Sequence, residues 1–470
     1  MPALLLTSDD SRPLVGQIFT ALSRQIASGR IAPGTRLPAS RVLASELGVS
    51  RSTVVSAYDQ LTAEGYLRAR HGSGHYVCDV GDADALYALS PSRAVADVAP
   101  LARGGGRPLS PGIPDMRLFP HAAWARHVAR TARQSAEALL ETEDRRGLPR
   151  LRAAIATHLS AWRGIDASAE RIIITAGAGD ALELALRSLT QERRDVALEN
   201  PTYPPLYRTA ANMGLRLHWM NVGEAGVALP DRSARPVVTV LTPSYQFPLG
   251  GAMPRSQRLA FLERAERDAG WIVEDDFDSE FRYAGRPIPA LASLDPNQRV
   301  IYVGSFSKIF SSGLRIGYMV LPESLLPLFD DTLLHYGQRA SVAPQWPLAS
   351  FIEDGSFHRH IRRMRRIYGE RRQAVVDVLR DRLRPPVWFD DHRAGMQIAL
   401  RFPHGWDDRA LSAELARAGI ACLPLSVFYH RMPAEPGLLI GFSTVTPEEA
   451  HQRLDRLIAA IARHQPDSPA

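Results

Sequence analysis

From about residue 109 onward, apolar runs of strand length alternate with amphipathic helical runs, and this alternation constrains the fold more than any other feature of the chain. "RIIITAG" (171–177), "DVALEN" (195–200), "PVVTVLTP" (236–243), "GWIVEDD" (270–276) and "RVIYVGS" (299–305) read as buried strands. "GDALELALRSL" (179–189) and "PRSQRLAFLERAERDAG" (254–270) carry the helical period between them. Antiparallel strands can turn back in a few residues, whereas a strand, a helix and another strand favour parallel pairing. The expectation is an α/β fold: a mostly parallel sheet with helices on both faces, and a smaller C-terminal α+β subdomain.

The 470 residues separate into three zones of different texture, placed at 1–78, 79–108 and 109–470. The middle zone loses helical periodicity, gathers Ala, Asp, Pro and Gly, and ends in a Gly triplet, so it reads as a linker with a short helix near Ala83–Leu89. Cys78 and Cys422 are too few and too far apart for a disulfide framework or a metal set, and no metal is expected. The opening residues lack the basic leader and cleavage site of a signal peptide, and no apolar run reaches membrane-spanning length. A cytoplasmic protein with no membrane partner is expected.

The front zone packs short elements closely. Val15, Ile18, Phe19, Leu22 and Ile26 mark one face of a helix that Gly29 ends. Ser40 can cap a short helix through about Leu47, "GVS" makes a turn, and Ser50 caps a second helix over 51–64. "YLRARHGSGHYV" reads as a hairpin turning at Gly72–Gly74. This layout is that of a winged helix-turn-helix. Arg51, Ser52 and Thr53 then stand at the start of the second helix, where base edges and phosphates are reached, and Arg41 opens the helix before it.

Lys308 is the only lysine among 56 Lys plus Arg residues. Arginine serves equally well as a surface cation or phosphate clamp, but only a primary amine can lose its proton and condense with an aldehyde to form a Schiff base. Lys308 follows one expected strand at its carboxyl end, and Asp275 ends another. Charge at the carboxyl ends of parallel strands marks a site. Pyridoxal 5'-phosphate needs an amine, a carboxylate for its pyridine nitrogen, anion binders for its phosphate and a planar partner for its ring. Lys308, Asp275, and Arg315 with Ser305 and Ser307 fill the first three needs. Ala178 and Gly179, at a strand-to-helix turn, add backbone amides for the phosphate. Tyr203 of "ENPTYPPLY" is the expected ring stacker.

These stretches resemble known families. "GTRLPASRVLASELGVSRSTVVSAYDQLTAEGYL" is similar to the DNA-binding domain of GntR-type bacterial regulators. That resemblance implies contacts to double-stranded operator DNA from Arg41, Arg51, Ser52, Thr53, His71 and Gly72, made by a dimer. "TPSYQFPLGGAMP", "EDDFDSEFRYAGRP", "YVGSFSKIFSSGLRIGY" and "IEDGSFHRHIRRMRRIY" resemble fold-type I aminotransferases. The two together resemble the MocR subfamily, which implies a homodimeric regulator sensing an effector through pyridoxal 5'-phosphate held on Lys308. The effector is expected to be the coenzyme itself or an amine or amino acid. A working aminotransferase with an accessory DNA-binding domain is the competing reading.

Departures from the enzyme pattern limit the activity expected. The resemblance implies a tyrosine donating to the cofactor's ring oxygen where this chain has Phe277, so that bond is missing unless Tyr245 or Gln246 supplies it. The position of a partner-subunit tyrosine is matched by Thr142. The substrate-clamping arginine is matched by Leu439 in "GLLIGFSTV" (437–445), which leaves Arg393 or Arg431 as alternative clamps. "HRHIRRMRRIYGERR" (358–372) has charge nearly all round and reads either as a second DNA surface or as a solvated helix making subunit salt bridges. The solvated helix is preferred, since charge runs are mostly solvated faces.

Overall fold

The computed structural model describes residues 13–70, 73–79, 107–134, 144–285, 288–431 and 433–465. The chain divides into two compact units, one on either side of the Arg103–Gly104 bond. The expected linker falls almost wholly outside the described residues, as do Ala83–Leu89, His71, Gly72 and Thr142.

In the first unit, α1 (Leu14–Ala27), α2 (Ser40–Leu47) and α3 (Arg51–Ala63) precede the antiparallel pair β1 (Leu67–Arg70) and β2 (Gly74–Val77). Ile18, Leu22 and Ile26 pack with Leu43, Val54, Tyr58, Leu61, Leu67 and Val77 in one core. Tyr58 adds a polar tie, its hydroxyl donating to the Pro38 carbonyl at 2.9 Å. Ser50 caps α3 as expected, accepting from the Thr53 amide at 3.1 Å. Ser40 does not cap α2: Ala39 holds the cap position, and Ser40 is the first helical residue. Its hydroxyl instead accepts from Arg51 Nε at 3.4 Å, so a side-chain contact between helices replaces a local cap.

The second unit is built on eight strands: β3 (Ile172–Thr175), β4 (Asp195–Asn200), β5 (Arg216–Gly223), β6 (Gly226–Val227), β7 (Val238–Leu241), β8 (Trp271–Asp276), β9 (Val300–Ser305) and β10 (Gly317–Val320). Their order is β3-β10-β9-β8-β7-β4-β5-β6. The run from β9 to β5 is parallel, whereas β10 is antiparallel to both β9 and β3, and β6 to β5. Ile173, Ile301 and Val303 enter one core, while Ile172, Ile174 and Tyr302 enter another on the opposite face. Period-two alternation between two apolar layers is the physical content of a doubly covered sheet.

Helices cover both layers: α4 (His121–Gln134), α5 (Pro149–Arg163), α6 (Ala178–Leu189), α7 (Pro204–Asn212), α8 (Arg255–Arg267), α9 (Leu326–Tyr336) and α10 (Gln345–Glu353). The long α11 (Ser356–Arg382) leads to a four-stranded antiparallel sheet, ordered β11 (Trp388–Phe389), β12 (Gln397–Arg401), β14 (Gly437–Gly441), β13 (Leu423–Pro424). Helices α12 (Asp408–Arg417) and α13 (Pro447–Arg463) complete that smaller layer. Contrary to the sequence expectation, α11 is not charged all round: Phe357, Ile361, Met364, Tyr368, Val375 and Leu379 are buried along it. Arg371 and Arg372 lie on that buried side, paired with Asp115 and Asp391 of the same chain.

Candidate functional site

Strands β8 and β9 run parallel with Asp275 opposite Val303 and Asp276 opposite Gly304, so their carboxyl ends open at one edge. Three acids close β8, and alternation separates their work. Glu274 accepts from the Leu291 and Ala292 amides, each at 2.9 Å. Asp276 pairs with Arg163 at 2.9 Å and accepts from the Tyr302 hydroxyl at 2.5 Å. Asp275 points between them to the other face, and its Oδ1 has no hydrogen-bond partner among the described residues. Burial, with the charges of Asp276 and Glu199 nearby, pushes its carboxyl up to about 7 against the pull of Lys308. A buried acceptor of that kind asks for a donor from a ligand.

Lys308 lies just beyond β9 and is nearly enclosed; its Nζ donates to the Gly112 carbonyl at 2.6 Å. Burial holds its pKa below the usual ammonium range, with Asp278 and Asp275 opposing. The amine is therefore easier to deprotonate than in water, as a nucleophile requires. Tyr203, at the start of α7, has its phenol pushed up by burial and by the charge of Asp275, with Arg315 opposing. The charges of Asp275 and Arg315 act on Tyr203, and that of Asp275 on Lys308, so the four lie in one neighbourhood.

Arg315 is exposed, and its guanidinium has no ion-pair or hydrogen-bond partner among the described residues. Its backbone sits at φ +52°, a region where non-glycine residues are uncommon and which clusters at functional sites. Ser305 is buried, and its hydroxyl accepts from the Ser307 amide at 3.1 Å. Ala178 and Gly179 form the first turn of α6, whose leading amides have no partner within the helix. A Cβ placed on Gly177 or Gly179 would meet nothing within 4 Å, so the space in front of that turn is open.

Phe277 packs edge-on against Phe247 and Tyr245. The two residues considered as replacements for its missing hydroxyl are both engaged elsewhere. Tyr245 donates to the Gln397 carbonyl at 3.0 Å. Gln246 donates to Glu199 at 3.2 Å and to the Phe247 carbonyl at 2.7 Å, and accepts from the Leu249 amide at 3.2 Å. Leu439 is buried in β14 with Ala399, Leu425 and Phe428, an apolar cluster with no place for a carboxylate. Arg431 is exposed beyond it, its backbone held by Asn200. Arg393 is also exposed, and its carbonyl accepts from Tyr283.

Three neighbours of the lysine escape the sequence reading. Gly112 takes φ +62°, and a Cβ there would lie 2.8 Å from Lys308 Nζ and 3.4 Å from Gln397 Oε1. Asp278 is buried with Oδ1 unpartnered among the described residues, and burial holds its carboxyl well above the usual range. The acid-rich "EDDFDSE" run is the available signal for Asp278. Nothing local marks Gly112 or Gln397.

In the first unit, Arg41, Arg51 and Ser52 are exposed and Thr53 half-buried around the start of α3, where Ser50 Oγ meets the hydroxyls of Ser52 and Thr53 at 2.7 Å each. Arg36 and Arg68 both pair across Tyr76 of the hairpin, and Arg70 lies 4.8 Å over its ring. All three arginines are exposed, which gives the wing a basic edge that "YLRAR" signals only as strand.

The features around Lys308 fit a group bearing an aldehyde, a basic ring nitrogen and a phosphate: an enclosed amine, an unpartnered buried carboxylate, an open helix N-terminus and a free guanidinium. Residues 112–457 match the model of the aminotransferase class I and II family, and residues 14–77 that of the bacterial regulatory proteins of the gntR family. The chain is 36% identical to the probable rhizopine catabolism regulatory protein MocR of Rhizobium meliloti, covering 97% of this chain and 96% of that protein. It is 35% identical to the HTH-type pyridoxine biosynthesis transcriptional regulator PdxR of Corynebacterium glutamicum, with 91% of each chain covered. Among solved structures, it resembles Pyrococcus horikoshii kynurenine aminotransferase, in complex with PMP, at TM-score 0.70 and 25% identity, over 76% of this chain and 91% of that one. Thermus thermophilus LysN, an alpha-aminoadipate aminotransferase complexed with N-(5'-phosphopyridoxyl)-L-leucine, matches at TM-score 0.68 and 27% identity, over 76% and 92%.

Proposed function

The chain belongs to the MocR-type regulators, which join a gntR-family DNA-binding domain to an aminotransferase class I and II domain, and on that premise we propose that occupancy of the Lys308 site governs its binding to operator DNA. The observation that carries the reading is the pairing of an enclosed amine at 308 with a buried carboxylate at 275 whose Oδ1 awaits a donor. Pyridoxal 5'-phosphate, when bound, supplies an aldehyde for the amine and an electron-withdrawing ring. The chain's own residues do the rest. Asp275 Oδ1 would accept a hydrogen bond from a protonated ring nitrogen, Arg315 and the amides of Ala178 and Gly179 would hold the phosphate, Ser305 and Ser307 would shape the turn beside it, and Tyr203 would cover the ring. Gln246 keeps Glu199 in place behind Asp275. Arg41, Arg51, Ser52 and Thr53 meet the operator, and the working unit is a cytoplasmic homodimer.

Leu439 and Phe277 favour regulation over turnover. A buried leucine cannot replace a bidentate arginine contact to a carboxylate. The effector most compatible with that wall is the coenzyme itself, or an amine lacking a carboxylate. Linkage requires that cofactor and DNA change each other's affinity by the same factor. The test compares operator binding by the apo and reconstituted chains, with and without a panel of amino acids. Equal DNA affinity of the two forms, with a large response to one amino acid, overturns the coenzyme reading. The intact Lys308–Asp275 pair supports the second reading, an aminotransferase, and turnover of amino-acid and keto-acid pairs would establish it.

A further inference from the structure

Between Ser356 and Gly369, α11 carries five arginines and no acidic residue, and α4 carries three more and none. These eight positive charges exceed the net charge of the whole chain, +6. Arg359, Arg362, Arg363 and Arg366 are spaced i, i+3, i+4, i+7, so they share one helical face, and all four are exposed. The opposite face is fixed in the core by Phe357, Ile361, Met364 and Tyr368.

Carboxylates pair with two of the four arginines on this face. Arg359 lies 3.9 Å from Asp354, and Arg366 pairs with Glu370 at 2.9 Å. Arg362 and Arg363 have no ion-pair or hydrogen-bond partner among the described residues. Neighbouring groups register their charge: after burial, Arg362 helps to hold His358, and Arg363 His360, below the usual imidazole range. Helix α4 adjoins the same end, since His127 reaches Asp354 at 3.1 Å, and its Arg126 and Arg130 are exposed.

We infer that this arginine face binds the phosphate backbone of DNA beyond the segment engaged by residues 14–77, adding affinity that does not depend on base sequence. The inference rests on the DNA-binding reading of the first unit. Guanidinium groups match phosphate oxygens in bidentate geometry, and rows of them on a rigid helix are suited to a regularly charged polymer. A second copy is a poor occupant, because a two-fold contact through this face sets arginine against arginine. DNA already held by the same chain is presented at high effective concentration, so contacts weak on their own become significant.

The experiment uses the full chain and its R359Q/R362Q/R363Q/R366Q variant. Two duplexes, of about 20 and about 60 base pairs, carry the sequence that the parent enriches from a random library; anisotropy is titrated across a salt series. On the long duplex, the slope of log affinity against log salt becomes shallower by about 0.9 for each lost phosphate contact, about 2 to 4 in all. On the short duplex, parent and variant coincide. Unchanged slopes on both overturn the inference, and equal losses on both overturn the placement beyond the operator. A change in oligomeric state by light scattering with slopes intact assigns the face to a contact between copies. If the parent binds no duplex, the reading of residues 14–77 falls and this inference with it.

Discussion

Lys308 donates its amine to the carbonyl of Gly112, 196 residues earlier in the chain, and a single methyl group at 112 would stand 2.8 Å from that nitrogen. The two residues define how far the amine can swing. Gly112→Ala must also hold a side chain at φ +62°, which costs about 1–2 kcal/mol. The expected outcome is a loss of about tenfold in coenzyme affinity, with a lowered thermal midpoint, read from reconstitution titrations and calorimetry. Coenzyme affinity equal to the parent's would show that the amine repositions freely.

Lys308→Arg keeps the positive charge but removes the only side chain able to condense with an aldehyde. The parent is expected to absorb in the visible range when loaded with coenzyme, and borohydride to fix the label on a peptide containing residue 308. The variant should show neither behaviour. Retention of a covalently reducible chromophore in the variant would falsify the assignment of Lys308.

Asp275 sets a pH dependence whose sign is fixed by its burial. Its carboxyl is pushed up to about 7 in the folded chain, above the ordinary carboxylate range. A raised folded-state pKa favours folding while the group is protonated in both states, and that contribution is lost as pH rises from about 4 through 7. Coenzyme-free Asp275→Asn should therefore melt higher than the parent at pH 8 and converge with it near pH 4. Because a neutral amide at 275 cannot stabilise a protonated ring nitrogen, coenzyme affinity should fall in the same variant. Thermal scans that ran parallel across this range would contradict the stated ionisation.

Phe277 has no hydroxyl to donate, and Tyr245 and Gln246 are engaged elsewhere. A hydroxyl there stabilises the ring oxygen's negative charge and so makes the adjacent nitrogen easier to deprotonate. Phe277→Tyr should move the chromophore's titration midpoint to lower pH. Coincident titrations would mean that another group already donates.

On the DNA side, Arg51→Ala should weaken operator binding by about 1–3 kcal/mol and relax sequence preference, with the coenzyme spectrum unchanged. Ser50→Ala removes the α3 cap and should cost about 0.5–2 kcal/mol in the first unit's stability. Arg51→Ala binding as tightly as the parent at moderate salt would remove that residue from recognition.

The parts legible in the sequence are those encoded locally. Apolar residues at both parities of "RVIYVGS" announce a strand covered on two sides, and Ile301, Tyr302 and Val303 divide between two cores as that pattern requires. Asp275 and Lys308 are legible because acids and a lone amine at strand ends stand out against their surroundings. Gly112 and Gln397 are not, because their roles arise only when the first residues of the unit and the small sheet close over the lysine. Arg371 and Arg372 look like surface charge because their partners, Asp115 and Asp391, lie 256 and 19 residues away. Ser40 fails as a cap for a smaller reason: the cap falls one residue earlier, and propensity does not fix a boundary that finely.

The antiparallel seating of β10 between β9 and β3 has a further consequence. The loop bearing Lys308 at one end and Arg315 at the other leaves and re-enters adjacent strands, with Ser305 opposite Gly317 and Gly304 opposite Tyr318. A crossover through a helix would have let those ends drift apart; here both are clamped by the same ladder. The backbone separation between the two ends of that loop is thereby set by one pair of strands. On the proposed reading, a small molecule with an aldehyde at one end and an anion at the other would meet Lys308 and Arg315 from opposite ends of one loop. On the same reading, phosphate alone or an aldehyde alone would engage one of the two groups and leave the other empty.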